Sequence, residues 1–411
     1  MTSRSARPYD IVVFGATSFV GQIMCDYLVE RHGTDGDLAW AVAGRSQSKL
    51  DALLSSVGAT DVPSIVADAS SAEDMAALAD SSRLVISTVG PYALYGSELV
   101  AAVAAAGTDY VDLTGEPQWM QRMIDAHQDA AAKSGARIVH TCGFDSIPSD
   151  LGVWFTQQQA IEQLGEPCTQ IAMRVKAMKG GASGGTIASM MNVVDETKAD
   201  PTLRKTLGNP FALAPEGMRS GPKQPNVTVP VQDAASGEWV APFVMAGINT
   251  KVVHRSHALL DRPWGDDFLY DEAMLMGEGP LGALKAGGMV AGLGGFMGLA
   301  AVGPVRPLLE RVLPKPGEGP SPEEQVAGFF DLRFYGTTAG GATITTKVTG
   351  DRDPGYGSTA KMLAESATTL LGINRGEKTG KPGGFWTPST AMGDQLIGAL
   401  VEHAGLTFDT I

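Results

Sequence analysis

The chain has 411 residues, of which 44% are hydrophobic and 18% charged, and its formal net charge is −14. This composition is typical of a folded protein long enough for two domains, and it excludes a disordered chain. The acidic balance argues against a nucleic-acid partner, because a phosphate backbone would repel the protein and no basic stripe offsets the charge.

The cysteines indicate a reducing environment. Cys25, Cys142 and Cys168 lie far apart in the sequence and form no CxxC pair. This spacing provides neither a recognisable zinc site nor a disulfide framework. The first ten residues are polar and lack the apolar stretch of a secretory signal. We therefore expect a cytoplasmic protein without a metal site.

The segment Ile11–Gly21, IVVFGATSFVG, predicts a buried strand that turns tightly into a helix. The helix N–H groups that follow such a glycine turn bind the pyrophosphate of a dinucleotide. Glycine-rich strand–helix turns also occur without a ligand, and here a serine stands where a middle glycine is common. The cofactor-binding residues predicted in this loop are Gly15, Thr17, Ser18, Phe19, Val20 and Gly21.

The end of the second strand indicates which dinucleotide binds. Leu38–Ala43 is followed by Gly44, Arg45 and Ser46, with Lys49 one helical turn further on. An NAD-specific fold places an acidic residue here, which accepts hydrogen bonds from the ribose 2′-hydroxyl. Arginine, serine and lysine instead suit a 2′-phosphate. We predict NADP(H), the alternative being a solvated helix start with incidental basic residues.

Strands and helices alternate regularly through residues 1–150, which predicts an α/β fold with a doubly wound parallel sheet, a Rossmann dinucleotide-binding domain. This alternation ends near residue 150, and the pattern of residues 151–350 predicts an α+β substrate domain. Helices are predicted in residues 351–411. The strands predicted in the second domain are Gln170–Met178, Lys251–His257, Gly328–Thr337 and Ala342–Thr349, the last two forming a hairpin.

The segment Ala286–Gly303 carries no charge over its whole length and lies between Lys285 and Arg306. Its length reaches the lower limit for a membrane span, but its many glycines weaken a helix. Three interpretations stay open: a helix that contacts lipid or a membrane surface, a buried core or dimer helix, and a true span.

Ligands of a doubly wound sheet lie at the carboxyl ends of the strands. Asp68 ends the third strand and either accepts a hydrogen bond from the adenine amino group or caps the next helix. After the fourth strand, Val89, Gly90 and Pro91 allow the backbone to approach the cofactor. Tyr92 and Tyr95 follow as candidate proton donors, or as loop aromatics that pack.

The sixth strand ends in the sequence CGFDSIPSD, from Cys142 to Asp150. Cys142 and Gly143 are predicted to contact the cofactor. Asp145 is a candidate catalytic residue, with turn fixing as the alternative. No Tyr has a Lys four residues on, which argues against short-chain dehydrogenase chemistry, and the scattered histidines indicate no triad or metal site.

These residues together resemble the saccharopine dehydrogenase-like oxidoreductases, in particular the branch of trans-acting enoyl reductases. The shared motifs are GATSFVG, Ala43–Arg45, Val89–Tyr92, Asp112–Glu116, Cys142–Asp150, Asp353–Gly357 with Lys361-Met362, and Trp386-Thr387-Pro388. The resemblance implies a Rossmann domain, a split substrate domain and a C-terminal segment that returns to the first domain. It also implies reduction of an α,β-double bond in a polyketide chain held on a synthase.

We therefore expect an NADPH-dependent oxidoreductase that acts on a small-molecule or carrier-bound lipid-like substrate, with enoyl reduction as its reaction. One alternative is a non-catalytic NADP-binding protein associated with membranes or lipid-synthesis complexes. Another is an imine or amino-acid reductase, which would need arginines in the substrate domain. Peripheral membrane contact through residues 286–303 and a homodimer are further expectations.

Overall fold

The computed structural model describes residues 7–181, 184–301, 319–373 and 380–411. The chain divides into two compact units. The first comprises Met1–Ile147, Pro316–Gly319 and Gly355–Gly405. The second comprises Pro148–Lys315, Pro320–Pro354 and Leu406–Ile411.

The strands of the described chain are, in order, β1 (Tyr9–Phe14), β2 (Trp40–Gly44), β3 (Ser64–Val66), β4 (Ser82–Ser87), β5 (Asp109–Asp112), β6 (Arg137–Val139), β7 (Cys168–Lys179), β8 (Val231–Gln232), β9 (Trp239–Pro242), β10 (Leu269–Gly277), β11 (Phe329–Thr338), β12 (Thr343–Gly350), β13 (Gly384–Trp386) and β14 (Leu406–Thr410).

The helices are α1 (Phe19–His32), α2 (Gln47–Ser56), α3 (Ala72–Ser81), α4 (Tyr92–Tyr95), α5 (Ser97–Ala106), α6 (Pro117–Ser134), α7 (Ile147–Leu164), α8 (Gly184–Ala199), α9 (Leu203–Gly208), α10 (Ala246–Leu259), α11 (Gly279–Ala301), α12 (Pro322–Val326), α13 (Thr359–Leu371) and α14 (Pro388–His403). A π-helical turn, Pro354–Ser358, precedes α13.

The first unit is built on a parallel sheet with the order β13-β6-β5-β4-β1-β2-β3. β1 lies in the middle, with Ile11 opposite Trp40 of β2 on one side and Leu84 of β4 on the other. The chain therefore changes direction across the sheet between β1 and β4. The predicted doubly wound α/β fold is confirmed, and this topological switch point is where such sheets bind ligands.

Burial explains why these segments form strands. Ile11, Val12 and Val13 are fully buried, as expected for a strand covered by helices on both faces. On α5, Leu99, Val100, Val103 and Ala104 are buried. The strand predicted at Leu38–Ala43 lies within about two residues of β2. Strands β13 and β14 were not predicted, because residues 351–411 were expected to be helical.

The second unit contains a mixed sheet with the order β14-β12-β11-β7-β10-β9-β8. β7 and β10 run parallel, and the other neighbouring strands are antiparallel. The predicted hairpin is confirmed: β11 and β12 pair from Phe330 opposite Gly350 to Thr337 opposite Thr343. Alternate residues of both strands are buried, as one covered sheet face requires.

The predicted strand Lys251–His257 is wrong, because these residues lie in the middle of α10. Every residue from Lys251 to Ala258 is buried, including the polar ones. A helix covered on all sides shows no amphipathic stripe, so the usual helical period is missing from its sequence. The β-branched pair Val252-Val253 then favoured a strand.

The uncharged segment Ala286–Gly303 lies in α11 up to Ala301, and its residues 302–303 fall outside the described residues. Leu281 and Leu284 on this helix are exposed, the latter by 73%. A Cβ placed at Gly292 or Gly295 would meet nothing within 4 Å. Among the described residues, no helix is both long enough and apolar enough to cross a bilayer.

Candidate functional site

The glycine loop between β1 and α1 leaves no room for side chains at two positions. Gly15 has φ +86°, and a Cβ there would lie 2.6 Å from Val89 Cγ2 and 2.7 Å from Thr88 Oγ1. A Cβ on Gly21 would lie 2.5 Å from the Gly15 carbonyl oxygen. Gly15 therefore allows the turn, and Gly21 allows α1 to pack against the end of β1.

Ser18 organises the start of α1 in place of a middle glycine. Its Oγ accepts a hydrogen bond from the Gly21 N–H at 3.0 Å and lies 2.9 Å from Thr88 Oγ1. Ser18 thus caps the helix and joins the loop to the end of β4. Helix geometry gives the N–H groups of Phe19 and Val20 no acceptor within α1. This cradle of loop amides fits a pyrophosphate, so the site suits a dinucleotide.

At the end of β2, Arg45 and Lys49 are exposed and Ser46 is half-buried at the start of α2. The Ser46 hydroxyl lies 3.2 Å from the Ser48 hydroxyl and makes no capping hydrogen bond. The end of β2 therefore presents two positive charges and a hydroxyl group that could bind a 2′-phosphate. Residues 45–49 include no carboxylate that would repel the phosphate.

Asp68 does not cap α3, because Ser71 is the N-cap and its hydroxyl accepts from the Asp74 N–H at 3.2 Å. The capping interpretation of Asp68 is wrong. Its Oδ1 instead accepts from the Ser70 N–H at 2.9 Å and from the Ser70 hydroxyl at 2.8 Å. These two bonds lower the pKa of the exposed Asp68 carboxyl. Adenine recognition by Asp68 stays a prediction.

The turn after β4 contains Val89, Gly90 and Pro91, with a cis Gly90–Pro91 bond. Tyr92 follows with a buried side chain, and its hydroxyl donates to the Ser87 carbonyl at 2.9 Å. Burial, and next the Asp112 charge, raise the pKa of Tyr92 well above 10.0. Tyr95, by contrast, is 44% exposed. The Tyr92 hydroxyl already has a protein acceptor, while Tyr95 faces solvent.

Glu116 holds this turn from the end of β5. Its two carboxylate oxygens accept from the N–H groups of Tyr92, at 2.8 Å, and Ala93, at 3.0 Å. The sequence placed Glu116 in the shared motif Asp112–Glu116 but assigned it no role. Only the fold places it beside residues more than twenty positions earlier.

Asp112 and His140 form a buried pair at the ends of β5 and β6. His140 Nδ1 lies 2.6 Å from Asp112 Oδ2. The other carboxylate oxygen accepts from the N–H groups of Thr114 and Thr141, both at 3.1 Å. Sequence reasoning missed His140 as a site residue, because it sought histidines paired with residues close in sequence. Its position near the end of the strand predicted at Arg137–Thr141 was the available signal.

Cys142, Gly143 and Asp145 lie on the turn that follows. Cys142 is fully buried, and its N–H donates to the Asp112 carbonyl at 2.7 Å. A Cβ on Gly143 would lie 2.9 Å from Asp145 Oδ2. Loss of water around its carboxyl raises the pKa of Asp145 to about 7, and the nearby Asp112 charge contributes in the same direction. A carboxyl group with a raised pKa at this strand end is suited to donate a proton.

The profile of the saccharopine dehydrogenase NADP binding domain matches residues 11–139. A provisionally named trans-acting enoyl reductase of Mycobacterium tuberculosis is 40% identical over 420 residues, covering 98% of each chain. The chain belongs to the saccharopine dehydrogenase-like family, in its trans-acting enoyl reductase branch.

A second relative agrees with this membership, and a solved structure shares the fold. The trans-acting enoyl reductase of Mycobacterium bovis is 37% identical over 421 residues, covering 99% of each chain. Apo saccharopine dehydrogenase (L-Glu forming) from Saccharomyces cerevisiae shares the fold with a TM-score of 0.54 at 13% identity, covering 98% of this chain and 100% of the yeast chain. As a member of this family, the protein is an NADP-dependent oxidoreductase, and the cofactor prediction is confirmed.

The predicted site residues fall into two groups in the first unit. The loop residues 15–21 and the basic residues after β2 lie at the ends of β1 and β2. Tyr92, Cys142, Gly143 and Asp145 lie at the ends of β4 and β6. Their individual roles stay predictions. Within the described ranges, no group of three or more His, Cys, Asp or Glu side chains could hold a metal ion.

Proposed function

We propose that the protein reduces the α,β-double bond of a lipid-like acyl thioester, such as a polyketide intermediate, with NADPH. The observation that carries this proposal is Asp145, a carboxyl group with a pKa raised to about 7 at the ligand-binding edge of the NADP-binding sheet. Curated relatives that match over their full length are named trans-acting enoyl reductases, which supports this reaction.

The residues have separate roles in the proposed reaction. The amides of Phe19 and Val20 bind the pyrophosphate, and Arg45, Ser46 and Lys49 bind the 2′-phosphate. When bound, NADPH supplies a hydride to the β-carbon of the enoyl group. Asp145 then gives its proton to the α-carbon, so that one hydride and one proton saturate the double bond. Asp145 regains a proton from water.

Tyr92 is the less suitable proton donor. Its hydroxyl is buried and donates to the Ser87 carbonyl, so protonation of a substrate would break that hydrogen bond and leave a buried phenolate. Asp145 can ionise at much lower cost, because its pKa lies near neutrality.

An apolar substrate is supported by α11, which exposes Leu281, Leu284 and Met289. A polar tricarboxylate or amino-acid imine is less well supported. In the second unit, Arg174 pairs with Asp233 at 2.7 Å and with Asp271 at 3.0 Å. Arg262 and Arg333 also pair with carboxylates. These three arginines are therefore already neutralised by the protein.

Stopped-flow oxidation of NADPH with enoyl thioesters of increasing chain length tests the proposal. We expect turnover that improves with chain length, because an apolar surface gains about 0.8 kcal/mol for each buried CH₂ group. Bound NADPH without turnover at any chain length would contradict enoyl reduction. If the protein then floated with liposomes, a non-catalytic NADP-binding protein at membranes would be favoured instead.

A further inference from the structure

We propose that His140 is a positioning residue. Through Asp112 it sets the turn 141–143, at the end of β6, against the nicotinamide half of the cofactor. This inference rests on the proposed function, because it needs a bound dinucleotide whose nicotinamide must be oriented.

His140 makes one hydrogen bond through its ring. It is 3% exposed, and its Nδ1 lies 2.6 Å from Asp112 Oδ2. Its Nε2 is buried and meets no hydrogen-bond partner within the described part of the chain. The rings of Trp119, Phe385 and Tyr110 surround it, with centroids 5.2, 5.7 and 5.9 Å away. Within the described part of the chain, Nδ1 is therefore the only ring atom of His140 with a hydrogen-bond partner.

Asp112 also forms hydrogen bonds with the turns that follow β5 and β6. Its Oδ1 accepts from the N–H groups of Thr114 and Thr141, and its main-chain oxygen accepts from the Cys142 N–H. A single aspartate thus ties the residues that follow β5 to those that follow β6. A carboxylate held on its other oxygen by an imidazole has little freedom to rotate.

The turn that Asp112 holds is strained. Thr141 has φ +62°, a left-handed conformation that is unfavourable for a β-branched residue. Such conformations persist only where surrounding contacts impose them, and they concentrate at functional sites. Two hydrogen bonds hold Thr141 in this conformation: its N–H donates to Asp112 Oδ1 at 3.1 Å, and its hydroxyl donates to the His140 carbonyl at 2.6 Å.

Packing alone does not account for a histidine here. A phenylalanine is larger than a histidine, but it suits an aromatic surrounding and would not bury an unpartnered nitrogen, which is costly. What the histidine adds is the Nδ1–H group donated to Asp112.

The position in the sheet identifies which half of the cofactor is affected. The switch point lies between β1 and β4. In a doubly wound sheet, one mononucleotide-binding half lies on each side of that point. Arg45 marks the side of β1–β3 for the adenosine 2′-phosphate, so the ends of β4–β6 belong to the nicotinamide half.

The test compares two ligands by titration calorimetry: NADPH, and 2′,5′-ADP, which contains the adenosine half alone. For His140→Phe we expect the Kd for NADPH to rise about tenfold, as for a lost charge-assisted hydrogen bond. The Kd for 2′,5′-ADP should stay within about twofold of the wild-type value. Tm should fall for His140→Phe, because the buried Asp112 carboxylate loses its partner. His140→Asn is the matched control, because its amide N–H can still donate to Asp112 and should restore most of the NADPH affinity.

An equal change in Kd for both ligands, or no change for either, would overturn the inference. If His140→Phe does not fold, Asp112→Asn provides the same comparison. It should weaken NADPH and leave 2′,5′-ADP binding intact, and any other pattern would overturn the inference. Failure of the proposed function is distinguishable: the wild-type protein would then bind NADPH without reducing an enoyl thioester of any chain length, while the Kd values of the His140 variants would still test the inference.

Discussion

Replacement of Asp145 by asparagine tests the proposed proton donor most directly. The ordinary pKa of the side chain is 3.8, and burial raises it to about 7 in this protein. At pH 7 roughly half of the carboxyl groups then carry a proton, compared with about one in 1,600 at the ordinary pKa. The protein thus raises the supply of the acid form roughly 800-fold.

The pH dependence follows from this pKa. Because a proton donor must be protonated, kcat/KM should stay constant at acidic pH and fall tenfold per pH unit above about pH 7. Asp145→Asn should lower kcat about 10²–10⁴-fold and remove that inflection, with the Kd for NADPH nearly unchanged. Asp112→Asn should move the inflection to lower pH, because the Asp112 charge helps to raise the pKa of Asp145.

Single-turnover oxidation of NADPH by an enoyl thioester, followed from about pH 5 to pH 9, provides the measurement. Tyr92→Phe is the matched control, because it preserves the ring and removes only a hydroxyl that donates to the Ser87 carbonyl. We expect its pH profile to match that of the wild-type protein. An Asp145→Asn variant that retains wild-type turnover and its inflection, or a Tyr92→Phe variant that loses both, would refute the reasoning.

Three further predictions concern the cofactor loop, specificity and the second unit. Arg45→Ala should raise the Kd for NADPH roughly tenfold and that for NADH less than about twofold, and equal losses would exclude a 2′-phosphate contact. Gly21→Ala should lower the free energy of unfolding by about 1–3 kcal/mol and weaken NADPH binding, because its Cβ would lie 2.5 Å from the Gly15 carbonyl oxygen. Gly292→Ala is the control, because a Cβ there meets open space, and its Tm should stay unchanged or rise. Chemical denaturation compares the free energies of unfolding of the two variants. Burial raises the pKa of Glu272 from 4.5 to about 7, so the native state keeps a proton that the unfolded state loses across this range. The free energy of unfolding should therefore fall as pH rises through that window, and Glu272→Gln should flatten the fall in urea titrations; an unchanged slope would contradict the raised pKa.

The sequence by itself determined the features that depend on local chemistry. Gly15 and Gly21 were predicted from their spacing, because a tight strand–helix turn admits no side chain there. The α/β sheet followed from apolar strands that alternate with helices. The preference for NADP(H) followed from Arg45, Ser46 and Lys49, since charge and hydrogen-bonding capacity are visible in residue type alone.

Tertiary structure alone decided the features that depend on residues distant in the chain. Asp112 and His140 are 28 positions apart and meet only because β5 and β6 are neighbours. The pKa of Asp145 depends on the groups that exclude water from it, and no sequence pattern shows them. Likewise α10 was mistaken for a strand because the second unit buries it on all sides, which removes the amphipathic period by which a helix is recognised.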